Sequence, residues 1–253
     1  MPNGVLNGRV ALVTGAGVGI GRAIAESLSE AGACVAVHCH QSVSEANTVV
    51  EGIRDQGGKA IMLQADLADA EQAPTIVQQT VAEFGRLDIL INNAGSPIER
   101  SRIEDCPLSL WNQSLTTNLT SALLVTQTAI PHLRSSGQGA IVNNITLSVQ
   151  TGGANGAGPY AIAKGGLLVM TRTLARELAP EVRTNSIMPG VIETRHHEVY
   201  SPPQRMQEYR DETPLGRNGT AEEVAATVLF LVSDAGRFIN GALLDINGGR
   251  FLR

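Results

Sequence analysis

The chain has 253 residues, a formal net charge of −5, 3% aromatic residues and three cysteines, a length that suits one α/β domain with a large core. The acidic balance, the lack of a Lys/Arg cluster and the scarcity of rings to stack on bases argue against a nucleic-acid partner. Cys34, Cys39 and Cys106 are odd in number and unpatterned, which fits a reducing compartment and not a disulfide framework.

Met1-Pro2-Asn3-Gly4 is not a charged segment leading into an apolar core, so no signal peptide is expected. No uncharged apolar stretch reaches the roughly 18 residues that span a bilayer. A cytoplasmic protein without a membrane partner is therefore expected. Val10–Val13 reads as a strand, and a helix rich in alanine and leucine follows over Gly21–Ala31. Cys34–His38 is a second strand and Val43–Gln56 a second helix, ended by Gly57-Gly58. Ala60–Gln64 is the third strand, Pro74–Phe84 the next helix and Leu87–Asn92 the fourth strand. A long helix is predicted over about Leu108–Leu133, then a strand over Ala140–Ile145 and a helix carrying Tyr160 and Lys164. Arg183–Met188 and Leu243–Ile246 close the series as strands. Continuous apolar strands alternating with helices predict a doubly wound parallel sheet covered on both faces, with ligand at the strands' carboxyl ends. No linker, repeat or second domain is evident, so residues 1–253 read as a single domain.

Between the first strand and its helix stands Thr14-Gly15-Ala16-Gly17-Val18-Gly19-Ile20-Gly21. A phosphate needs close backbone approach and free N–H groups at a helix N-terminus, and glycine permits both. The spacing is Gly-x-x-x-Gly-x-Gly and departs from the general dinucleotide fingerprint. Further on, Tyr160-Ala161-Ile162-Ala163-Lys164 puts a phenol and an ammonium on one helix face. A cation beside a phenol lowers its pKa and makes it a usable proton donor or acceptor. The same spacing also describes an amphipathic surface pair.

These two features, with five more in order, resemble the short-chain dehydrogenase/reductase family nearly end to end. The others are Asp66 in Ala65-Asp66-Leu67, Asn92-Asn93-Ala94-Gly95, the helical Asn118, Pro189-Gly190, and Gly241 through Gly249. Members acting as 3-oxoacyl-carrier-protein reductases and as sugar or polyol dehydrogenases resemble it closely. The resemblance implies a Rossmann-type oxidoreductase that moves a hydride between a nicotinamide and a small ketone or secondary alcohol. Tyr160 would exchange the alcohol proton, Lys164 would lower the tyrosine pKa and hold the nicotinamide ribose, and Asn118 would anchor a relay water. Asn118 is equally readable as a residue that satisfies backbone groups in a helix irregularity.

For the cofactor, the resemblance implies contacts from Gly15, Gly17, Val18, Gly19, Ile20 and Gly21. It places the adenine edge on Asp66 and Leu67, packing on Asn93, Ala94 and Gly95, and the nicotinamide amide beside Gly190, Ile192 and Thr194. Asp66 also reads as a loop acid capping the next helix. Where a dinucleotide site preferring NAD puts an acid, after the second strand, the register falls on Cys39. His40, Gln41 and Ser42 follow and offer donors to a 2′-phosphate, so NADP(H) is favoured over NAD(H).

The family's serine lies most often thirteen residues before the tyrosine; here that position is Leu147, which has no hydroxyl. Thr146 and Ser148 flank it, and a threonine hydroxyl can serve because it both donates and accepts. If neither serves, the chain is a slow enzyme or a nucleotide-binding sensor or scaffold without catalysis. The resemblance also implies a homotetramer and a substrate lid at about residues 191–215. The polar character of that stretch leans toward small oxygenated substrates. His196 and His197 are adjacent and rarely point at one ion, so no metal is expected.

Overall fold

In a computed structural model of the chain, the described residues are 4–153, 155–194 and 203–252. Strands β1 (Val10–Val13), β2 (Cys34–Cys39), β3 (Ala60–Gln64), β4 (Ile89–Asn92), β5 (Gly139–Asn144), β6 (Val182–Pro189) and β7 (Leu243–Ile246) form one sheet in the order β3-β2-β1-β4-β5-β6-β7. Every neighbouring pair is parallel. The order reverses between β1 and β4, which opens a crevice at their carboxyl ends.

Successive side chains of a strand point to opposite faces, and the core divides accordingly. Ala11, Val13, Val35, Val37 and Ile91 pack with helices α1 (Gly19–Glu30), α2 (Val43–Asp55) and α9 (Ala221–Val232). Val10, Leu12, Ala36, Leu90 and Ile141 face the other way, toward α3 (Thr75–Phe84), α5 (Ser121–Ser135) and α7 (Gly158–Glu177). Between α3 and α5 runs α4 (Leu108–Leu115); a short α6 (Ser148–Thr151) precedes α7, and α8 (Pro203–Asp211) lies between β6 and α9.

The expected elements are present, with ends shifted by a residue or two. α1 starts at Gly19 and not Gly21, because its first turn takes in the end of the glycine segment. β4 starts at Ile89, since Asp88 pairs differently: its backbone N–H donates to Val10 O while its carboxylate takes the Val10 N–H. The single helix expected over Leu108–Leu133 is divided by a π turn at Thr116–Thr120. Three α-helices among the described residues were not expected, the single turn α6 and the longer α8 and α9. α9 carries a plain signal, a capping box between Thr220 and Glu223, whereas α8 sits in a polar stretch that reads as loop. Cys34, Cys39 and Cys106 are free thiols. No helix among the described residues is long and apolar enough to cross a membrane.

Candidate active site

The strand ends open on a cavity of about 780 Å³. At one end it is lined by Gly15, Val18, Gly19, Ile20 and Gly21. Helix α1 begins there with no side-chain cap and no acid in its first turn, so its leading N–H groups are left for an anion. The glycines are required by space as well as by φ. A Cβ on Gly21 would stand 2.2 Å from Gly15 O, and one on Gly17 would stand 2.5 Å from the Ser42 hydroxyl. Gly15 and Gly19 have φ of +63° and +56°, where L side chains are strained.

His38, to which no role was assigned from sequence, holds this turn from below. The Gly15 N–H donates to Nδ1 at 3.1 Å, and Nε2 lies 3.1 Å from Ala65 O. One tautomer satisfies both, with the proton on Nε2. Burial lowers the imidazole pKa to about 4, so the ring is neutral. Asn93 completes the support: its amide donates to Thr14 O and Gly15 O and accepts from Asn144 Nδ2 at 2.8 Å.

At the end of β2 the structure divides the expected contacts. Gln41 and Ser42 line the cavity, whereas His40, Asp66, Leu67 and Ala94 do not. The His40 imidazole is half exposed, 3.9 Å from the Asp66 carboxylate. Asp66 accepts the Ala68 N–H at 2.9 Å, as a loop acid does. The Leu67 side chain is buried in the core, and Cys39 is 1% exposed, its thiol pKa raised by burial and by Glu45.

Tyr160, Lys164, Thr146 and Ser148 come together on the cavity wall. Thr146, and not Ser148, is the side chain that holds the Tyr160 phenol's pKa down, and its oxygen accepts the Ser148 N–H at 3.3 Å. The longer spacing is absorbed by a loop in which Gly152, Gly153, Asn155 and Gly156 all have positive φ. Leu147 packs beside Ile145 and Met188 in a small apolar cluster. Burial pushes the phenol up to about 12, opposed by the nearby Thr146 side chain. Lys164 stands on the same wall. Its side chain is 2% exposed, donates to Asn144 O at 2.9 Å, and is lowered to about 8 by burial.

Asn118 lies in the π turn, buried, away from the cavity lining. Its amide donates to Ser96 O and Ser114 O, at 2.8 and 3.1 Å, and accepts the Ser96 N–H at 2.9 Å. It therefore satisfies backbone groups where the helix widens, and fixes the segment after Gly95. A Cβ on Gly95 would stand 2.6 Å from Asn118 Oδ1 and 2.9 Å from Lys164 Nζ.

The lining also includes Arg100, Thr151, Asn155, Gly190, Ile192, Thr194, Arg205, Tyr209 and Arg250, with Thr194 next to the glycine turn, 3.5 Å from a Cβ placed on Gly19. The guanidinium carbons of Arg205 and Arg250 lie 4.5 and 4.6 Å from the Tyr209 ring centroid. Residues 195–202 of the expected lid, with His196 and His197, lie outside the described residues. No group of three or more His, Cys, Asp or Glu side chains among the described residues could hold a metal.

A family model described as enoyl-(acyl carrier protein) reductase matches residues 15–250. A short-chain dehydrogenase of Burkholderia cenocepacia, solved in complex with NADP, superposes with a TM-score of 0.89 at 35% identity, over 97% of this chain and 98% of that one. The chain belongs to the short-chain dehydrogenase/reductase family. It is accordingly an oxidoreductase acting on CH–OH groups with NAD(P) as acceptor. Among other short-chain dehydrogenase/reductase members, an uncharacterized oxidoreductase of Methylorubrum extorquens is 38% identical over 247 residues, 96% of this chain and 98% of the relative. The 3-oxoacyl-(acyl-carrier-protein) reductase of Staphylococcus aureus is 34% identical over the same length and coverage.

Proposed function

We propose that the protein interconverts a small ketone and its secondary alcohol, with Tyr160 giving or taking the proton on oxygen and NADP(H) preferred over NAD(H). The dinucleotide, when bound, supplies the hydride chemistry. The observation that carries this reading is that Thr146, Tyr160 and buried Lys164 share the wall of the cavity that the glycine turn also lines. A donor near the phenol oxygen favours the phenolate, and the Thr146 hydroxyl can meet a substrate oxygen. Below pH of about 8 Lys164 is cationic, and a cation in a water-poor site favours negative charge nearby. Asn118 holds the Gly95–Ser96 backbone beside Lys164 and, by the resemblance, would anchor a relay water. The hydroxyl at Thr146 speaks against a sensor or scaffold without catalysis, since the unmatched serine was the feature that favoured one.

The residues fit the cofactor. The α1 amides and the close glycines suit its phosphates, and Gly190, Ile192 and Thr194 suit the nicotinamide amide. Asp66, Leu67, Asn93, Ala94 and Gly95 would serve the adenosine side. Support for NADP(H) is the absence of any carboxylate among the described lining residues, together with Gln41 and Ser42 at the end of β2. The solved Burkholderia relative carries NADP. The lid at about residues 191–215, which includes α8, would cover the substrate. A homotetramer is part of the reading, supported by exposed Ile162 and Val169 on α7 and Leu123 on α5; a monomeric mass in light scattering would remove it. A cytoplasmic location is carried over from the sequence.

The test is nicotinamide absorbance during turnover, with NADPH and NADH separately, across ketones and sugar-derived carbonyls. Oxidation of NADPH that vanishes in Tyr160→Phe, while nucleotide binding persists, is the expected result. Nucleotide binding without oxidation of either cofactor overturns the reading.

A further inference from the structure

The protein is acidic overall, yet the described residues lining its cavity include four cations, Lys164, Arg100, Arg205 and Arg250, and no carboxylate. Lys164 belongs to the Tyr160 wall. The three arginines lie elsewhere: Arg100 follows β4, Arg205 is on α8, and Arg250 follows β7. β7 is the far edge of the sheet from β2 and β3, and β6 stands three strands from β1. The arginines that follow β7 and lie on α8 meet around Tyr209, and this cluster forms one arginine-rich end of the lining.

The two arginines at that end are held in place. Arg250 is 15% exposed in its side chain, donates to Tyr209 O at 3.1 Å and is ion-paired with Glu212. Arg205 donates to Glu208 at 2.6 Å. Both guanidiniums lie over the one Tyr209 ring, a cation–π arrangement that fixes planar groups at low entropic cost. Glu208 and Glu212, which pair with the guanidiniums, are outside the cavity lining. A guanidinium has five N–H donors in a rigid fork, more than the acceptors named here engage. Planar forks facing a cavity match a carboxylate.

We propose that this end of the cavity binds the carboxylate of a small oxo or hydroxy acid, held by Arg205 and Arg250 with Arg100 on the β4 side. The keto or hydroxyl carbon would then sit toward Tyr160 and Thr146. This rests on the oxidoreductase reading above and narrows its substrate class to anionic ketones and alcohols.

The experiment is calorimetric titration of the protein saturated with NADP⁺, a complex that cannot turn over a ketone. 4-Oxopentanoate and 5-oxohexanoate are each compared with their methyl esters and with a phosphate monoester of similar length. The acids should bind about tenfold or more tightly than the esters. Arg205→Gln and, separately, Arg250→Gln should shrink that acid-to-ester ratio at least about fivefold; nucleotide binding is the control for folding. Esters binding as well as acids, a phosphate binding better than either, or a ratio untouched in both variants overturns the proposal. Acids that bind selectively but are never reduced with NADPH leave the anion site standing and sink the ketone-reductase reading alone.

Discussion

Thr146 and Tyr160 face one cavity from the two ends of the glycine loop that joins β5 to α7. Parallel pairing of β5 with β6 carries Asn144 opposite Ile187, and the Ile145 N–H continues the ladder to Ile187 O. That register delivers the next side chain, Thr146, to the cavity. Ser148 is already the first residue of α6.

Thr146→Ala is expected to lower kcat/KM by about a hundredfold, the usual scale for losing one donor at a reacting oxygen. Thr146→Ser should stay within about threefold of wild type, because the hydroxyl is retained. Ser148→Ala should also change little. Steady-state kinetics on the three variants decides the matter: a large loss in Ser148→Ala with little in Thr146→Ala reverses the assignment.

Burial lowers Lys164 from its ordinary value of 10.5 to about 8. Between pH 8 and 9 the unfolded chain keeps a proton that the folded protein releases, so this lysine makes stability rise with pH across that window. Cys39 is raised above its ordinary 9.0 and opposes the trend increasingly as pH approaches 9, equally in wild type and in a lysine variant. Urea midpoints at pH 8 and pH 9 should therefore rise more in wild type than in Lys164→Met. Equal pH slopes in the two proteins would show that the ammonium is not desolvated.

Gln41→Glu changes charge but hardly shape at the end of β2. With Gln41 lining the cavity, a carboxylate there should repel a 2′-phosphate and shift the NADPH-to-NADH ratio of kcat/KM by about tenfold toward NADH. An unchanged ratio would mean that this strand end does not select the cofactor.

Gly95→Ala places a methyl group against both Asn118 Oδ1 and Lys164 Nζ. Both side chains are held by hydrogen bonds to backbone, so the strain cannot be shed without moving them. A stability loss of about 1–3 kcal/mol is expected, with a clear fall in kcat. Chemical denaturation and kinetics measured together would show the two losses; a variant with wild-type values in both would show the cradle to be loose.

Much of the fold was legible because apolar runs bounded by glycine mark buried strands directly. Val10–Val13, between Gly8 and Gly15, is the plainest case, with all four residues buried. The π turn was not legible, since a single widened turn barely disturbs apolar periodicity, and Asn118 reveals it only through its bonds to Ser96 and Ser114. α8 was hidden because Pro203 and the charges after it read as a loop, although Arg205 and Glu208 pair across one helical turn. Spacing alone left Thr146 and Ser148 unresolved, because the glycines that absorb the extra residue carry no register of their own. His38 looked like one more strand residue between Val37 and Cys39, and its role depends on Ala65, which is remote in sequence. The arginines around Tyr209 come from α8 and from the chain after β7, so no local pattern joins them.

The His38 ring has a consequence for any long ligand laid across this sheet. Its two nitrogens touch Gly15 on one side and Ala65, the neighbour of Asp66, on the other. The seat offered to phosphates and the loop proposed for the adenine are thus separated by the width of one flat, neutral imidazole. The ring acts as a spacer of constant length, and because the Gly15 N–H is already satisfied by it, an arriving phosphate is left to the donors further along, in the first turn of α1. The reach of the ligand and the point where its charge is received are then set by the same side chain.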